Sequence, residues 1–427
     1  MQDISIDGER LNRELTELAG FTQVEPSPLG TAVTRVVFTA DDLRARAWLT
    51  GLAEEAGFSV RVDAVGNTFI RWEGSEPELA AVATGSHVDA IPHAGMYDGT
   101  VGVMGGLEAM RALKAAGFVP RRSIELVLLT SEEPTRFGIG CLGSRLIAGT
   151  LAPEKADGLV DLLPGAEAGS TLATVREAAG FRGSLEGVRL AVGHYDGWVE
   201  LHIEQGPLLE REGLPIGIVT DIAAPAGYRF VIEGVGGHAG ALLMPDRKDA
   251  LCAASEVILS VEKHVLAANR ASGTSNTVGT VGTCEVHPGA VNSVPSRVTL
   301  QLDIRDTDPV RREGVMQAVR TDVAEIAAAR GVTIAETMVN ADAPATSSEK
   351  IVAAIEVACG GARLPFKKMV SRAYHDSSFM AQICPVAMIF IPCRAGVSHR
   401  PDEYASPSAI MDGTRILAST LATLASD

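Results

Sequence analysis

Residues 79–99 read LAAVATGSHVDAIPHAGMYDG, and this segment decides the predicted fold. Its apolar run from Leu79 to Thr84 predicts a buried strand, which delivers His87 and Asp89 at its end. Asp98 follows in a glycine-containing turn that opens a predicted helix over residues 102–116. Imidazole nitrogen combined with carboxylate oxygen suits zinc, manganese or cobalt. The segment therefore predicts a metal-binding loop at the end of a sheet strand.

Two more apolar strands are followed by polar residues. SIELVLLT at 123–130 precedes the pair Glu132 and Glu133, and WVELHI at 198–203 contains His202. Strand ends of an α/β sheet meet at one edge, so we expect these side chains to lie close together. Adjacent buried carboxylates are costly unless cations lie nearby. The same kinds of residue recur in later loops, as His375-Asp376 and as His399 with Glu403.

The domain organisation follows from a change of pattern. A chain of 427 residues exceeds one typical domain. Residues 216–331 contain two alternating strands and two long helices, which indicates an α+β insertion. MIFIPC at 388–393 returns to the continuous apolar type and should rejoin the first sheet. We predict an α/β catalytic domain with a mixed sheet, formed by 1–215 and 332–427, and an inserted lid or dimerisation domain at 216–331.

Composition excludes some classes of partner. The formal net charge is −16, without a run of Lys or Arg, which argues against nucleic acid and anionic membranes as partners. The amino-terminal segment is charged and amphipathic, unlike a signal peptide, and no apolar run reaches membrane-spanning length. The 6 cysteines are scattered along the chain without CxxC spacing, which indicates reduced thiols and not a disulfide framework. We expect a cytoplasmic protein.

The motifs together carry a family resemblance. The chain contains, in order between about residue 80 and residue 407, TGSHVDAIPHAGMYDG, TSEEPTRFG, ELHIEQGPLLE, VGGHAGALLMP, RAYHDS and FIPCRAGVSHRPDEYAS. This set resembles the dinuclear-metal amidohydrolases of the aminoacylase/carboxypeptidase superfamily. The resemblance is to the carbamoylase branch, which acts on N-carbamoyl-L-amino acids, allantoate and ureidoglycolate. Within the branch, DAIP, YDGTVGVMGGLEA and SRAYHDS are most similar to the plant-type ureidoglycolate amidohydrolases.

The resemblance implies a metal-ligand set. His87 and His202 would bind one ion each, or share the pair of ions with Glu133 and His399, and Asp98 would bridge both. The ions would be manganese or zinc, with cobalt or nickel also compatible with nitrogen and oxygen ligands.

Two acidic residues beside these ligands have implied catalytic roles. Glu132 would act as the general base that takes a proton from the attacking water and relays it to the leaving nitrogen. Asp89 would orient the imidazole of His87. The alternative for Asp89 is a loop cap.

The resemblance also implies substrate-binding residues. His238 would act in the neighbouring subunit of a homodimer, where it would polarise the scissile carbonyl. Asn292 and Arg305 would hold the substrate carboxylate, although Arg305 could equally form a surface ion pair. Gln205 and His375 would line the pocket around the ureido group, with a supporting role as the alternative for His375.

The expected activity is hydrolysis of the N-carbamoyl C–N bond of a small carboxylate, with release of ammonia and carbon dioxide. Many relatives carry a small residue where this chain has Tyr374, and a phenol there favours a small polar substrate such as ureidoglycolate. Allantoate and N-carbamoyl amino acids, including N-carbamoyl-β-alanine, are the alternatives, followed by an aminoacylase or dipeptidase activity. A catalytically silent binding protein with the same fold is a further alternative, although such proteins usually lose a ligand or the base.

Overall fold

The computed structural model describes residues 4–25 and 27–427. It divides into two compact units. The first comprises the described residues up to Thr220 together with Thr346–Met369 and His375–Asp427, and the second comprises Asp221–Ala345 and Val370–Tyr374. Each unit has its own sheet and its own hydrophobic core.

The helices and strands are numbered in chain order. The helices are α1 (Gly8–Ala19), α2 (Ala40–Glu55), α3 (Thr100–Ala115), α4 (Leu142–Ala148), α5 (Pro153–Asp157), α6 (Leu172–Ala178), α7 (Leu208–Glu212), α8 (Ala250–Ser272), α9 (Pro309–Arg330), α10 (Glu349–Ala362), α11 (Ser377–Met380) and α12 (Pro407–Ser426). The strands are β1 (Val33–Arg35), β2 (Ser59–Val62), β3 (Thr68–Trp72), β4 (Ala81–His87), β5 (Ala90–Ala94), β6 (Ile124–Leu129), β7 (Tyr195–Ile203), β8 (Ile216–Ile222), β9 (Ala224–Glu233), β10 (Gly237–His238), β11 (Val278–His287), β12 (Ser293–Val294), β13 (Arg297–Asp306), β14 (Thr333–Ala341), β15 (Ala345–Thr346), β16 (Phe366–Ser371) and β17 (Val386–Ile391).

The large sheet is mixed, in the order β15-β8-β17-β7-β4-β6-β3-β2, with β16 paired to β8. Its central strands β17, β7, β4 and β6 are parallel. They are buried because helices contact the sheet on both faces, with α3 and α12 on one and α11 on the other. Burial on both faces explains their continuous apolar sequences. The predicted mixed α/β fold is confirmed, and MIFIPC supplies β17 beside β7.

Strand register brings the first predicted ligands together. Thr84 of β4 pairs with Val199 of β7, so that three residues further along both strands stand His87 and His202. Their rings lie 6.2 Å apart between centroids. Gly99 follows Asp98 with φ +66°, and a Cβ there would lie 2.4 Å from the His87 ring. Only glycine accommodates both the backbone conformation and this close approach.

One strand near the site has no counterpart in the sequence prediction. Residues 90–94, which were predicted as part of a loop, form β5 and pair antiparallel with β1. The segment contains Pro92, and only its two end residues, Ala90 and Ala94, are buried, so its pattern is not that of a buried strand.

The second unit contains an antiparallel sheet of order β11-β13-β9-β14, contacted by α8 and α9. The two predicted strands are the inner pair, β9 and β13, whose alternating apolar residues form the core of this unit. The outer strands β11 and β14 were missed. They expose most of their residues and are rich in Gly, Thr and Ala, so apolar alternation is weak.

The predicted bounds of the insertion, 216 and 331, require correction. Residues 216–220 belong to the first unit because β8 pairs with β17 in the large sheet. The second unit continues beyond 331 because β14 pairs with β9. In the described residues, no helix combines the length and apolar character needed to cross a membrane.

Candidate active site

The two strand histidines are held in one tautomer by backbone carbonyls. Nδ1 of His87 lies 2.9 Å from the carbonyl oxygen of Asp89, and Nδ1 of His202 lies 2.9 Å from that of Ile203. Nδ1–H therefore donates in both rings, and Nε2 carries the lone pair, which in His202 accepts from the backbone N–H of Gly99 at 3.2 Å. Both rings are buried. This is the form in which imidazole binds a metal ion.

Asp98 lies between the histidines. Its Oδ1 is 3.2 Å from Nε2 of His202 and 3.6 Å from Nε2 of His87, whereas its Oδ2 is 3.3 Å from Nε2 of His399. That nitrogen of His399 is also 3.3 Å from Oε1 of Glu133. Two groups of potential ligands therefore share Asp98, namely His87 with His202 and Glu133 with His399.

This arrangement favours one of the two alternatives drawn from the sequence. His87 and His202 point Nε2 at the same oxygen of Asp98, so they lie in one group of potential ligands. The residues that fit the second position are Glu133 and His399. A carboxylate whose two oxygens face different groups can bridge two cations.

The donor set and its charge fit two divalent ions. The acids Asp98, Glu132 and Glu133 are largely buried, and their ion-pair partners are imidazoles. A buried cluster of carboxylates is unfavourable without compensating positive charge, which bound cations provide. Nitrogen and carboxylate oxygen donors, without thiolate, match zinc or manganese.

Glu132 stands beside both ligand groups and belongs to neither. Its Oε2 is 3.7 Å from Nε2 of His87. Burial raises the pKa of Glu132 well above its ordinary value, and the negative charges of Glu133, Asp376 and Asp98 add to this. A carboxylate with a raised pKa is well suited to accept and return a proton.

The carboxylate of Asp89 does not orient His87 as predicted, because the backbone carbonyl of Asp89 contacts the ring. The side-chain oxygens accept hydrogen bonds from the backbone N–H groups of Glu132 (3.2 Å) and Glu133 (3.1 Å). The nearer carboxylate oxygen is 3.8 Å from Nδ1 of His87. Asp89 is therefore a loop cap that holds the backbone of the two glutamates.

Gln205, which was predicted to line the substrate pocket, contacts a potential metal ligand. Its Nε2 donates to Oδ2 of Asp98 at 2.6 Å and lies 3.4 Å from Oγ of Ser398. Gln205 has φ +52°, which turns the chain directly after β7. The side-chain amide of Gln205 therefore contacts Asp98, the carboxylate shared by the two groups of potential ligands.

Glu403 was grouped with His399 in the sequence, and its position was not predicted. Its carboxylate accepts from the backbone N–H groups of Tyr97 (2.8 Å) and Asp98 (3.0 Å) and from the hydroxyl of Ser398 (2.8 Å). Burial raises its pKa to about 7. Glu403 thus links the Asp98 turn to the His399 loop. The only sequence sign was an acid four residues after His399.

His375 is buried against His202. The two rings meet edge to face with centroids 4.6 Å apart, and Glu200 lies in the same cluster. This position favours the supporting role that was the alternative for His375. The hydroxyl of Tyr374 donates to Oδ2 of Asp342 at 3.1 Å, so this donor is already engaged.

In the second unit, His238 and Asn292 are neighbours. Strands β10 and β12 pair His238 with Ser293, and the N–H of Ala239 donates to the carbonyl of Asn292 at 2.9 Å. Both side chains are exposed.

Arg305 and Asn292 lie toward different ends of β13. Asn292 precedes the start of this strand, whereas Arg305 is near its end, eight residues and roughly 26 Å along the strand from Arg297. Arg305 instead forms a two-pronged ion pair with Asp303, at 2.9 and 3.0 Å. The ion pair is the alternative that the sequence left open for Arg305, and the role of the two residues toward a substrate carboxylate stays a prediction.

Comparison with known proteins identifies relatives along the whole chain. Residues 83–423 match the model of peptidase family M20/M25/M40. The chain is 50% identical over 423 residues to ureidoglycolate hydrolase of Oryza sativa subsp. japonica, covering 98% of this chain and 85% of that protein. It is 38% identical over 420 residues to N-carbamoyl-L-amino acid amidohydrolase of Geobacillus stearothermophilus, covering 98% and 99%. The crystal structure of AtUAH in complex with (S)-hydroxyglycine superposes with a TM-score of 0.87 at 48% identity, covering 99% and 98%.

Proposed function

This chain belongs to peptidase family M20/M25/M40 and is a hydrolase of carbon–nitrogen bonds, and on that premise we propose that its substrate is ureidoglycolate. The motif resemblance drawn from the sequence is confirmed. The observation that carries the substrate proposal is the 50% identity to a ureidoglycolate hydrolase over 98% of this chain. Similarity to an N-carbamoyl-L-amino acid amidohydrolase is lower, at 38%.

The proposed reaction consumes one water. Its oxygen adds to the carbamoyl carbon of ureidoglycolate, a C–N bond at that carbon breaks, and the leaving nitrogen takes a proton. Loss of carbon dioxide from the resulting carbamate leaves ammonia and hydroxyglycine. The relative AtUAH has been crystallised in complex with (S)-hydroxyglycine, which supports this product.

The chain would hold two divalent ions on either side of Asp98, with His87 and His202 on one side and Glu133 and His399 on the other. When bound, such ions polarise a carbonyl and lower the pKa of water. We propose manganese, with zinc as the alternative, since the ligands are nitrogen and oxygen.

Glu132 is the proposed general base. Its backbone is held by Asp89, and its Oε2 lies near His87 at the edge of the ligand groups without joining them. From this position it takes a proton from the attacking water and returns it to the leaving nitrogen. His375 and Gln205 support this arrangement by contacts to His202 and Asp98.

We propose that two copies of the chain complete each site. His238 would polarise the carbamoyl carbonyl in the partner's site, and Asn292 would accompany it because the two are neighbours. Arg305 lies near the far end of β13 from them. The Arg305 that holds the substrate carboxylate would therefore belong to the other copy of the chain. Exposed apolar residues flank the His238 region, namely Leu243, Met244 and Val291. A second copy would cover this apolar surface.

Mixing two inactive variants tests the shared site. His238→Ala and Glu132→Gln chains, co-expressed with separate tags, should give a doubly tagged dimer with about half of wild-type activity, because one of its two sites combines an intact Glu132 with an intact His238. The measurement is turnover of the doubly tagged dimer. Co-expressed Glu132→Gln and Asp98→Asn should stay inactive, since each chain then carries a defect in its own metal site. Failure of the first pair to complement would exclude action of His238 in the partner's site.

A substrate panel tests the proposed activity. With manganese-loaded enzyme, kcat/KM for ureidoglycolate should exceed that for allantoate, N-carbamoyl-L-amino acids and N-carbamoyl-β-alanine by at least about tenfold. Ammonia release is the readout, and N-acetyl amino acids serve as the control for an aminoacylase. A higher value for allantoate or an N-carbamoyl amino acid would move the assignment to that relative. Hydrolysis of N-acyl amino acids alone would exclude the ureido reaction.

A further inference from the structure

Cys141 lies directly beside Glu132. Its backbone N–H donates to the carbonyl of Glu132 at 2.8 Å, and the N–H of Leu142 donates to the carbonyl of Ser131 at 2.9 Å. Cys141 is fully buried and has φ +56°, and Ser131 has φ +55°. The two segments therefore run side by side with Cys141 opposite Glu132, and this pairing brings their side chains close together.

The thiol contacts one of the two oxygens of the Glu132 carboxylate. Sγ of Cys141 donates to Oε1 at 3.4 Å, whereas Oε2 is the oxygen that lies 3.7 Å from Nε2 of His87. The two oxygens therefore have different environments. One is held by sulfur, and the other faces the ligand groups.

We propose that Cys141 is a positioning residue for the general base, because its S–H holds Oε1 of Glu132 and so presents Oε2 to the attacking water. The inference rests on the proposed function of Glu132. A thiol is a weak donor that carries no charge, so it can fix the rotamer of the carboxylate without the ion pair that Lys or Arg would form.

The turn that carries Cys141 is itself anchored. The hydroxyl of Ser144 lies 3.2 Å from the carbonyl oxygen of Cys141 and also contacts the carboxylate of Asp376. All three residues are buried. Burial, together with the negative charge of Glu132, raises the pKa of the Cys141 thiol well above its ordinary value, which keeps the donor proton in place. The donor is therefore fixed in both position and protonation.

The test compares Cys141→Ala with Cys141→Ser. Loss of the donor should lower kcat for ureidoglycolate about five- to tenfold with KM changed by less than about twofold, because one hydrogen bond to the base is lost. Serine, which restores a donor at the same backbone position, should recover most of kcat. Cys384→Ala is the matched control, since Cys384 is also buried and donates to the carbonyl of Met380. It should leave kcat unchanged.

Two outcomes would overturn the inference. One is an unchanged kcat in Cys141→Ala, and the other is an equal loss in the Ala and Ser variants, which indicates packing alone. The infrared S–H band provides a second measurement in which Cys141 itself is retained, because that band should shift in Glu132→Ala if the thiol donates to Glu132. An unshifted band contradicts the contact. Full activity of Glu132→Gln would reject the proposed function itself, whereas an inactive Glu132→Gln with a normal Cys141→Ala rejects only this inference.

Discussion

Glu132→Gln is expected to lower kcat for ureidoglycolate by about a thousandfold or more, since general-base catalysis contributes up to roughly 10⁴. Glutamine keeps the size of the side chain and an oxygen for the Cys141 contact, but it cannot accept the proton of the attacking water. Because Glu132 is outside both ligand groups, the variant should retain its metal ions. Steady-state kinetics and elemental analysis of the same preparation give both values.

The control for this variant is Glu154→Gln, an exposed carboxylate in α5 of the same unit. It should behave as the wild type. Near wild-type turnover in Glu132→Gln would remove Glu132 from the mechanism. Loss of metal together with activity would instead identify Glu132 as a ligand.

Asp98→Asn is expected to remove both metal positions at once. Asparagine offers one ligand oxygen where Asp98 has two, and those two oxygens face different ligand groups. Metal content should fall from about two ions to well below one per chain, and kcat should fall by more than about a thousandfold. Elemental analysis after removal of free metal, alongside turnover, measures both effects.

His399→Ala is the comparison for this prediction, because His399 belongs to only one of the groups. It should retain the ion beside His87 and His202. If Asp98→Asn kept two tightly bound ions, Asp98 would not be the shared ligand. The difference between the two variants separates a bridging carboxylate from an ordinary ligand.

The strand-borne part of the site was predictable from the sequence. Apolar runs ending near residues 84, 130 and 203 gave β4, β6 and β7, and parallel pairing of those strands places the residues that follow at one edge of the sheet. The order of the motifs also supplied the resemblance, which added the loop residue His399. A periodic pattern alone does not place a loop histidine, because loop conformation depends on tertiary contacts such as those of Glu403.

The exact partner of each polar side chain was not predictable. The two-residue spacing of His87 and Asp89 correctly indicated that the two residues are close. However, the backbone carbonyl of Asp89 forms the hydrogen bond with His87, and its carboxylate accepts from the backbone N–H of Glu132. Gln205 and Tyr374 likewise have partners distant in sequence, Asp98 and Asp342. Several acceptors compete for each donor in a buried polar cluster, and the folded geometry decides among them.

The relative positions of Asn292 and Arg305 were not predictable for a different reason. Sequence motifs indicate residue roles and not the copy of the chain that supplies them. The paired register of β13, which extends from Arg297 to Asp306, places Arg305 near the end of the strand whose start Asn292 precedes. This register supports the proposal that the two residues of one site come from different copies of the chain.

Anomalous diffraction from a crystal of the manganese-loaded enzyme tests the central claim most directly. We expect two peaks on opposite sides of Asp98, one bound by His87 and His202 and the other by Glu133 and His399, with Glu132 bound to neither. A single peak, or direct ligation by Glu132, would contradict the account.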